Sequence, residues 1–258
     1  MSDQSISTAD AAAFAQALKV PPMPPKLRDA AATTAAVQQT TGESASVVGN
    51  SMVAFTADVS PQHKDDLLNS FGLAQLSAVA QGADAEADPV DYYRKVVKVL
   101  TNIGYTGQAI NFAKYATQTA TVRIDQVVID IMAALVTGPE LEIVKAALTA
   151  LKSSADANGA PWQLYHSQST SDTNGSFSIG LANETNNNVA VKLSAFHFTG
   201  NETATKFLWM SYSSTSVDIQ QGQTTLVLND SVYSGVRNTV LKKMSSHASS
   251  YIDNLPEL

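Results

Sequence analysis

From Pro61 to Leu151 apolar residues recur every three or four positions, whereas from Trp162 to Leu228 they alternate with polar ones. The chain therefore changes period, and the break falls near residue 157. The first regime predicts helices. Ser60-Pro61 opens one, with Leu67, Leu68, Phe71 and Leu76 turned inward. Asp88-Pro89 opens the next: Asp88 is the cap, Pro89 takes the first helical position, and Tyr92, Tyr93, Val96, Val97, Leu100 and Ile103 form the apolar stripe. Gly104 and Gly107 predict a break, after which "QAINFAKYA" resumes the helix with Ile110, Phe112 and Tyr115. "VRIDQVVIDIMAALV" and "PELEIVKAALTALKSS" are joined by Thr137-Gly138, which predicts an antiparallel αα-hairpin at the centre of the helical core.

The second regime predicts short antiparallel strands: "WQLYHS", "SFSIGLA", "NVAVKLSAFHF", "KFLWMSY", "SVDIQ" and "TTLVLN", divided by Ser/Thr/Asn/Gly turns. A final helix, capped at Asp230 or Ser231, carries Val232, Val236, Val240 and Met244 four apart. In "NVAVKLSAFHF" the apolar positions change sides. Val189, Val191, Leu193 and Ala195 share one face, while Phe196 and Phe198 point to the other. Phe207 and Trp209 share a face of "KFLWMSY". Such a sheet needs apolar cover twice, from helices or from another molecule.

Ahead of both regimes, Ser7 or Thr8 caps a short helix whose Phe14 and Leu18 lie one turn apart. "VPPMPPK" then holds the chain extended as a spacer, which keeps this arm away from the rest of the molecule, and residues 26–48 read as a weak helix. The expected organisation is an arm at 1–25, a helical domain at 26–157, and an antiparallel β module with a C-terminal helix at 158–258. The class is α+β: a bundle-like helical half followed by a small β-sandwich or curled sheet.

Composition narrows the functions open to this layout. A net charge of −7 without any basic run opposes nucleic-acid binding. The absence of cysteine removes disulfides, thiol nucleophiles and thiolate metal sites. "MSDQSISTADAAAFAQALKV" has neither a basic start nor a long apolar run, so no secretory signal is read there. Cytoplasmic synthesis is expected, and export by a signal-independent route is compatible with it.

Candidate chemistry is sparse. His63, His166, His197 and His247 are scattered, with no metal-ligand spacing, and His197 is expected to be a structural residue at a strand end. Asp84-x-Glu86-x-Asp88 begins like a calcium loop, but Pro89 stands where a sharp turn needs Gly and Lys95 where a bidentate Glu belongs. No G-x-S-x-G elbow or phosphate-binding loop is present. No catalytic residue, cofactor or metal is expected. The candidate interaction surface is instead Phe196, Phe198, Phe207 and Trp209 on the sheet, with Phe14 and Leu18 on the arm. The expected function is a non-enzymatic interaction or self-assembly protein, partnered by itself or by another protein. The alternative is a membrane-active or glycan-binding toxin-like protein, since helices joined to a β module are loosely similar in layout to some bacterial toxins and some assembly proteins. A bilayer-spanning helical hairpin is disfavoured: each arm from Val122 to Leu151 is only about 22 Å long, and Asp125, Asp130, Glu140 and Glu142 resist burial in lipid.

Overall fold

A computed structural model describes residues 6–21, 34–39, 42–117 and 119–253. The α+β class holds. Helix α1 is Thr8–Ala17, α2 Pro61–Ala80, α3 Pro89–Asn102, α4 Ile124–Ala133, α5 Gly138–Asp156, α6 Ala160–Ser169, α7 Asp230–Tyr233 and α8 Arg237–Asp253. The strands are β1 Thr34–Gln39, β2 Ser44–Val48, β3 Ser51–Phe55, β4 Tyr105–Gly107, β5 Asn111–Lys114, β6 Thr121–Arg123, β7 Thr170–Ser171, β8 Asn174–Thr185, β9 Asn188–Thr199, β10 Ser211–Ser213 and β11 Asp218–Leu228.

The helix starts follow their sequence signals. Ser7, Ser60 and Asp88 accept the amide hydrogens of Asp10, His63 and Asp91, and Pro61, Pro89, Pro139 and Pro161 each occupy the first turn of a helix. Proline fits there because those amides have no helical acceptor. The hairpin of α4 and α5 is present, with Ile124, Val127, Val128, Ile131 and Met132 buried as their spacing requires. The last helix is broken into α7 and α8, yet Val232, Val236 and Val240 are all buried.

The sheet differs from expectation. It is one mixed sheet in the order β1-β2-β3-β8-β9-β11-β4, with β5 also on β11 and β7 on β8. β3 runs parallel to β8, and the other pairings are antiparallel. Strands from before and after residue 157 thus share one layer. Among the described residues no second sheet stacks on it; β6 and β10 form only a small separate pair. Helices cover both faces, so the layers run helix, sheet, helix rather than as a sandwich. One core joins α1, α2, α3, α7 and α8 to Val53, Phe55, Val189, Val191, Leu193, Ala195, Leu226 and Leu228. The other joins α4, α5 and α6 to Met52, Phe177, Ile179, Leu181, Phe196 and Phe198.

Four local expectations fail, each for a visible reason. "SASVVGNSMVAF" is a hairpin, turning at Gly49-Asn50 where Gly49 has φ +55°, and residues 34–39 add a third strand to it in place of the weak helix. Residues 105–114 form β4 and β5 instead of resuming a helix, because Gly104 at φ +115° turns the chain against the backbone of Tyr233. "WQLYHS" lies within α6, where Trp162, Tyr165 and Ser169 are buried at helical spacing. In "KFLWMSY", Phe207–Trp209 is a single 3₁₀ turn, followed by β10. Residues 22–33, with most of the proline spacer, lie outside the described residues.

Candidate functional site

A partly buried charged cluster lies where α2, α7 and α8 meet the end of β8. Arg237 on α8 donates from Nε and Nη2 to both carboxylate oxygens of Asp66 on α2, at 2.9 and 2.8 Å, and from Nη2 to Asp230 on α7 at 2.6 Å. His63, one turn before Asp66, sets Nδ1 3.0 Å from Glu184 on β8 and Nε2 3.7 Å from Asp230. Nδ1 makes no aligned hydrogen bond to that oxygen despite the short approach. Glu184 also accepts from the backbone of Ser60 at 2.8 Å. Burial pushes the Glu184 carboxyl up, but the Ser60 amide and His63 outweigh it and hold it below the usual range.

His63, Asp66 and Asp230 offer three ligand atoms within 4.8 Å of one another, which is metal-like spacing. Arg237 already supplies the compensating positive charge to both carboxylates. The donor set therefore fits a structural ion-pair lattice rather than a cation site. The one hydroxyl hydrogen-bonded to His63 among the described residues is Ser60 Oγ, which accepts from the backbone amide and not from the ring.

A second charged contact sits on the opposite face. Lys192 of β9 donates to Glu140 Oε2 at 2.7 Å. Glu140 is in the first turn of α5, where its carboxylate also accepts from the Thr137 amide at 2.7 Å. Burial raises the Glu140 pKa, and Lys192 with Thr137 more than offsets this, leaving it lowered. The two contacts are clips: Glu184 ties the β8–β9 hairpin to α2, and Lys192 ties it to α5. Both lie in the half of the hairpin nearest its Asn186-Asn187 turn. Charge alone marked neither pairing in the sequence, because each joins residues far apart along the chain.

The aromatic residues expected to form an interaction surface are mostly interior. Phe196 stacks on Phe177 at 5.1 Å between ring centroids, and Phe207 stacks on Phe198 at 5.8 Å. All four are fully buried. Trp209 is half-buried against Trp162 of α6 at 5.1 Å. The second cover of the sheet is thus α6 and the 3₁₀ turn. Leu18 is buried and Phe14 half-buried against the chain's own core, and Lys243 of α8 donates to the Leu18 carbonyl at 2.7 Å. Helix α1 is therefore docked on α3, α7 and α8 and is not held apart. His197 is half-buried at the end of β9, with its pKa lowered by burial against a small opposing pull from Asp218. His166 donates from Nε2 to the Ala204 carbonyl at 2.9 Å, a structural contact.

Among the described residues only Val79 and Leu241 are large apolar side chains left exposed, at 48% and 39%. No helix among them is long and apolar enough to cross a membrane. An open cleft of ≈860 Å³ lies between α1, α3 and β4.

No protein-family profile and no curated protein matches the chain. Several solved structures are distantly similar, three of them as follows. A delta-endotoxin aligns at 17% identity with a TM-score of 0.42, over 70% of this chain and 84% of its own. The activated Cyt2Ba monomer from Bacillus thuringiensis subsp. israelensis aligns at 13% and 0.41, over 68% and 96%. The Evf virulence factor aligns at 12% and 0.38, over 76% of each chain. Likenesses this distant assign neither a family nor a function.

Proposed function

We propose that this chain is a non-enzymatic, membrane-acting protein that works by opening. The observation that carries this reading is the pair of clips. The β8–β9 hairpin is apolar on both faces, each face is covered by its own helical layer, and each layer is held near the turn by one partly buried carboxylate contact, Glu140 with Lys192 and Glu184 with His63 and the Ser60 amide. Breaking such contacts leaves a charge without its partner, which destabilises the closed state at two defined places. Among the described residues the closed form has no large exposed apolar patch, so contact with a bilayer core requires opening. The described helices are too short or too polar to span, which leaves the long strands as the element that reaches apolar surroundings. Opening also exposes sheet faces that a second copy can cover, so self-association on the membrane follows from the same event.

The test is dye release from vesicles, recorded with tryptophan emission. Trp162 and Trp209 are the only tryptophans and both lie in the layer on the Phe196 face. Leakage accompanied by a shift in their emission is expected. Intact vesicles of neutral and anionic lipid, with unchanged emission between about pH 4 and pH 8, would sink the reading.

A further inference from the structure

The cleft between α1, α3 and β4 has an unbalanced set of polar groups. Its three aliphatic hydroxyls are already donating: Ser7 to Asp10 at 2.6 Å, Thr101 to the Lys98 carbonyl at 3.0 Å, and Thr106 to the Val227 carbonyl at 3.4 Å. The charged groups that remain are the Arg94 guanidinium and the Lys98 ammonium, one turn apart on α3 and both lining the cleft. Neither has an ion-pair partner among the described residues, although Lys95 between them is bound to Asp91 at 2.7 Å. Two like charges at this spacing repel along a helix. In a chain of net charge −7, such a pair is an exception that acidic side chains elsewhere do not relieve. Asp10, on the α1 wall, is the one carboxylate lining the cleft among the described residues, and it is committed to Ser7 rather than to either cation. The floor is apolar, formed by Val97, Tyr105 and Ile110.

We propose that this cleft binds a phosphate-type oxyanion held by Arg94 and Lys98. The guanidinium offers a planar fork and the ammonium a point charge, a combination suited to a tetrahedral group with several acceptor oxygens. The oxyanion can come from two sources, a soluble phosphate or a phospholipid headgroup at a membrane surface. The site stands apart from the opening mechanism, because it uses α1, α3 and β4 and neither clip.

Two binding measurements on the full chain separate the sources. Titration calorimetry at low ionic strength uses inorganic phosphate; co-sedimentation uses vesicles of phosphatidylcholine alone or mixed with phosphatidylglycerol. R94Q and K98Q are each expected to weaken binding roughly tenfold, the scale of one charge-assisted hydrogen bond. D10N removes the opposing carboxylate and is expected to tighten it about threefold. Arg94 and Lys98 are exposed, so their variants should keep the wild-type urea midpoint. Phosphate binding with these sensitivities supports a soluble ligand, and binding confined to the anionic vesicles with the same sensitivities supports a headgroup. No binding to either, or variants that bind as the parent does, overturns the proposal. Because dye release is not the readout, failure of the site and failure of the membrane reading remain distinct results.

Discussion

Lys192 and Glu140 meet at 2.7 Å on the face of the sheet opposite to that on which Glu184 meets His63 at 3.0 Å. Cross-strand pairing places Lys192 opposite Leu181, three residues before Glu184, so the two helical layers are fastened to one short stretch of hairpin. Both carboxylates are mostly buried, at 12% and 11% side-chain exposure, which gives these pairs more weight than surface salt bridges carry.

Replacing Lys192 by Met is expected to destabilise the fold by about 1–2 kcal/mol, since Glu140 keeps its Thr137 bonds but loses its cation. A double-mutant cycle with E140Q, followed by urea unfolding, should return a coupling of roughly 1 kcal/mol. Additive single effects would show that the clip holds nothing.

Stability should fall with acid in two windows. His197, Glu140 and Glu184 all have pKa values lowered by folding, so the unfolded chain binds protons first. Each contribution is present above the unfolded pKa and is lost as pH falls through the folded one. His197 is half-buried near Asp218 on β11, and its cross-strand neighbours Ser176 and Gln220 carry no charge. Its window opens below the unperturbed 6.5, and those of the two glutamates below 4.5. Urea midpoints measured against pH should show the upper decline disappear in H197Q and the lower one shrink in E184Q.

Arg237 bridges Asp66 and Asp230, with Asp66 almost wholly buried. Arg237→Met is expected to cost about 3 kcal/mol by leaving that carboxylate unpaired, and a second change, D66N, should recover part of the loss. Arg237→Lys keeps the charge but not the fork, so it should fall between parent and Met variant in thermal unfolding.

Phe207 contacts Trp162, Tyr165, Phe177 and Phe198 and is completely buried. Phe207→Ala should therefore lower stability by about 3–5 kcal/mol, as removal of a core aromatic does. A normal unfolding midpoint combined with altered self-association would return this residue to a surface role.

The difference between residues 89–102 and residues 162–167 shows how far local pattern reaches. Asp88, Pro89 and the stripe from Tyr92 to Leu100 act within one helix, so cap, start and buried face all follow from spacing. "WQLYHS" is too short for its period to be decided by its apolar residues, and the deciding signal was Pro161 just before it. Gly49-Asn50 was a legible hairpin turn of the same local kind.

By itself the sequence determined the α4–α5 hairpin, the caps at Ser7, Ser60 and Asp88, and the need for apolar cover on both faces of β9. These are properties of neighbouring residues, and backbone periodicity enforces them. Only the tertiary structure decided that both covers are the chain's own helices, that β3 joins β8 in parallel across the compositional break, and that His63, Asp66, Glu184, Asp230 and Arg237 converge. Those outcomes depend on pairings between residues far apart along the chain. Their partners are chosen by the packing of whole layers, which no short window of sequence records.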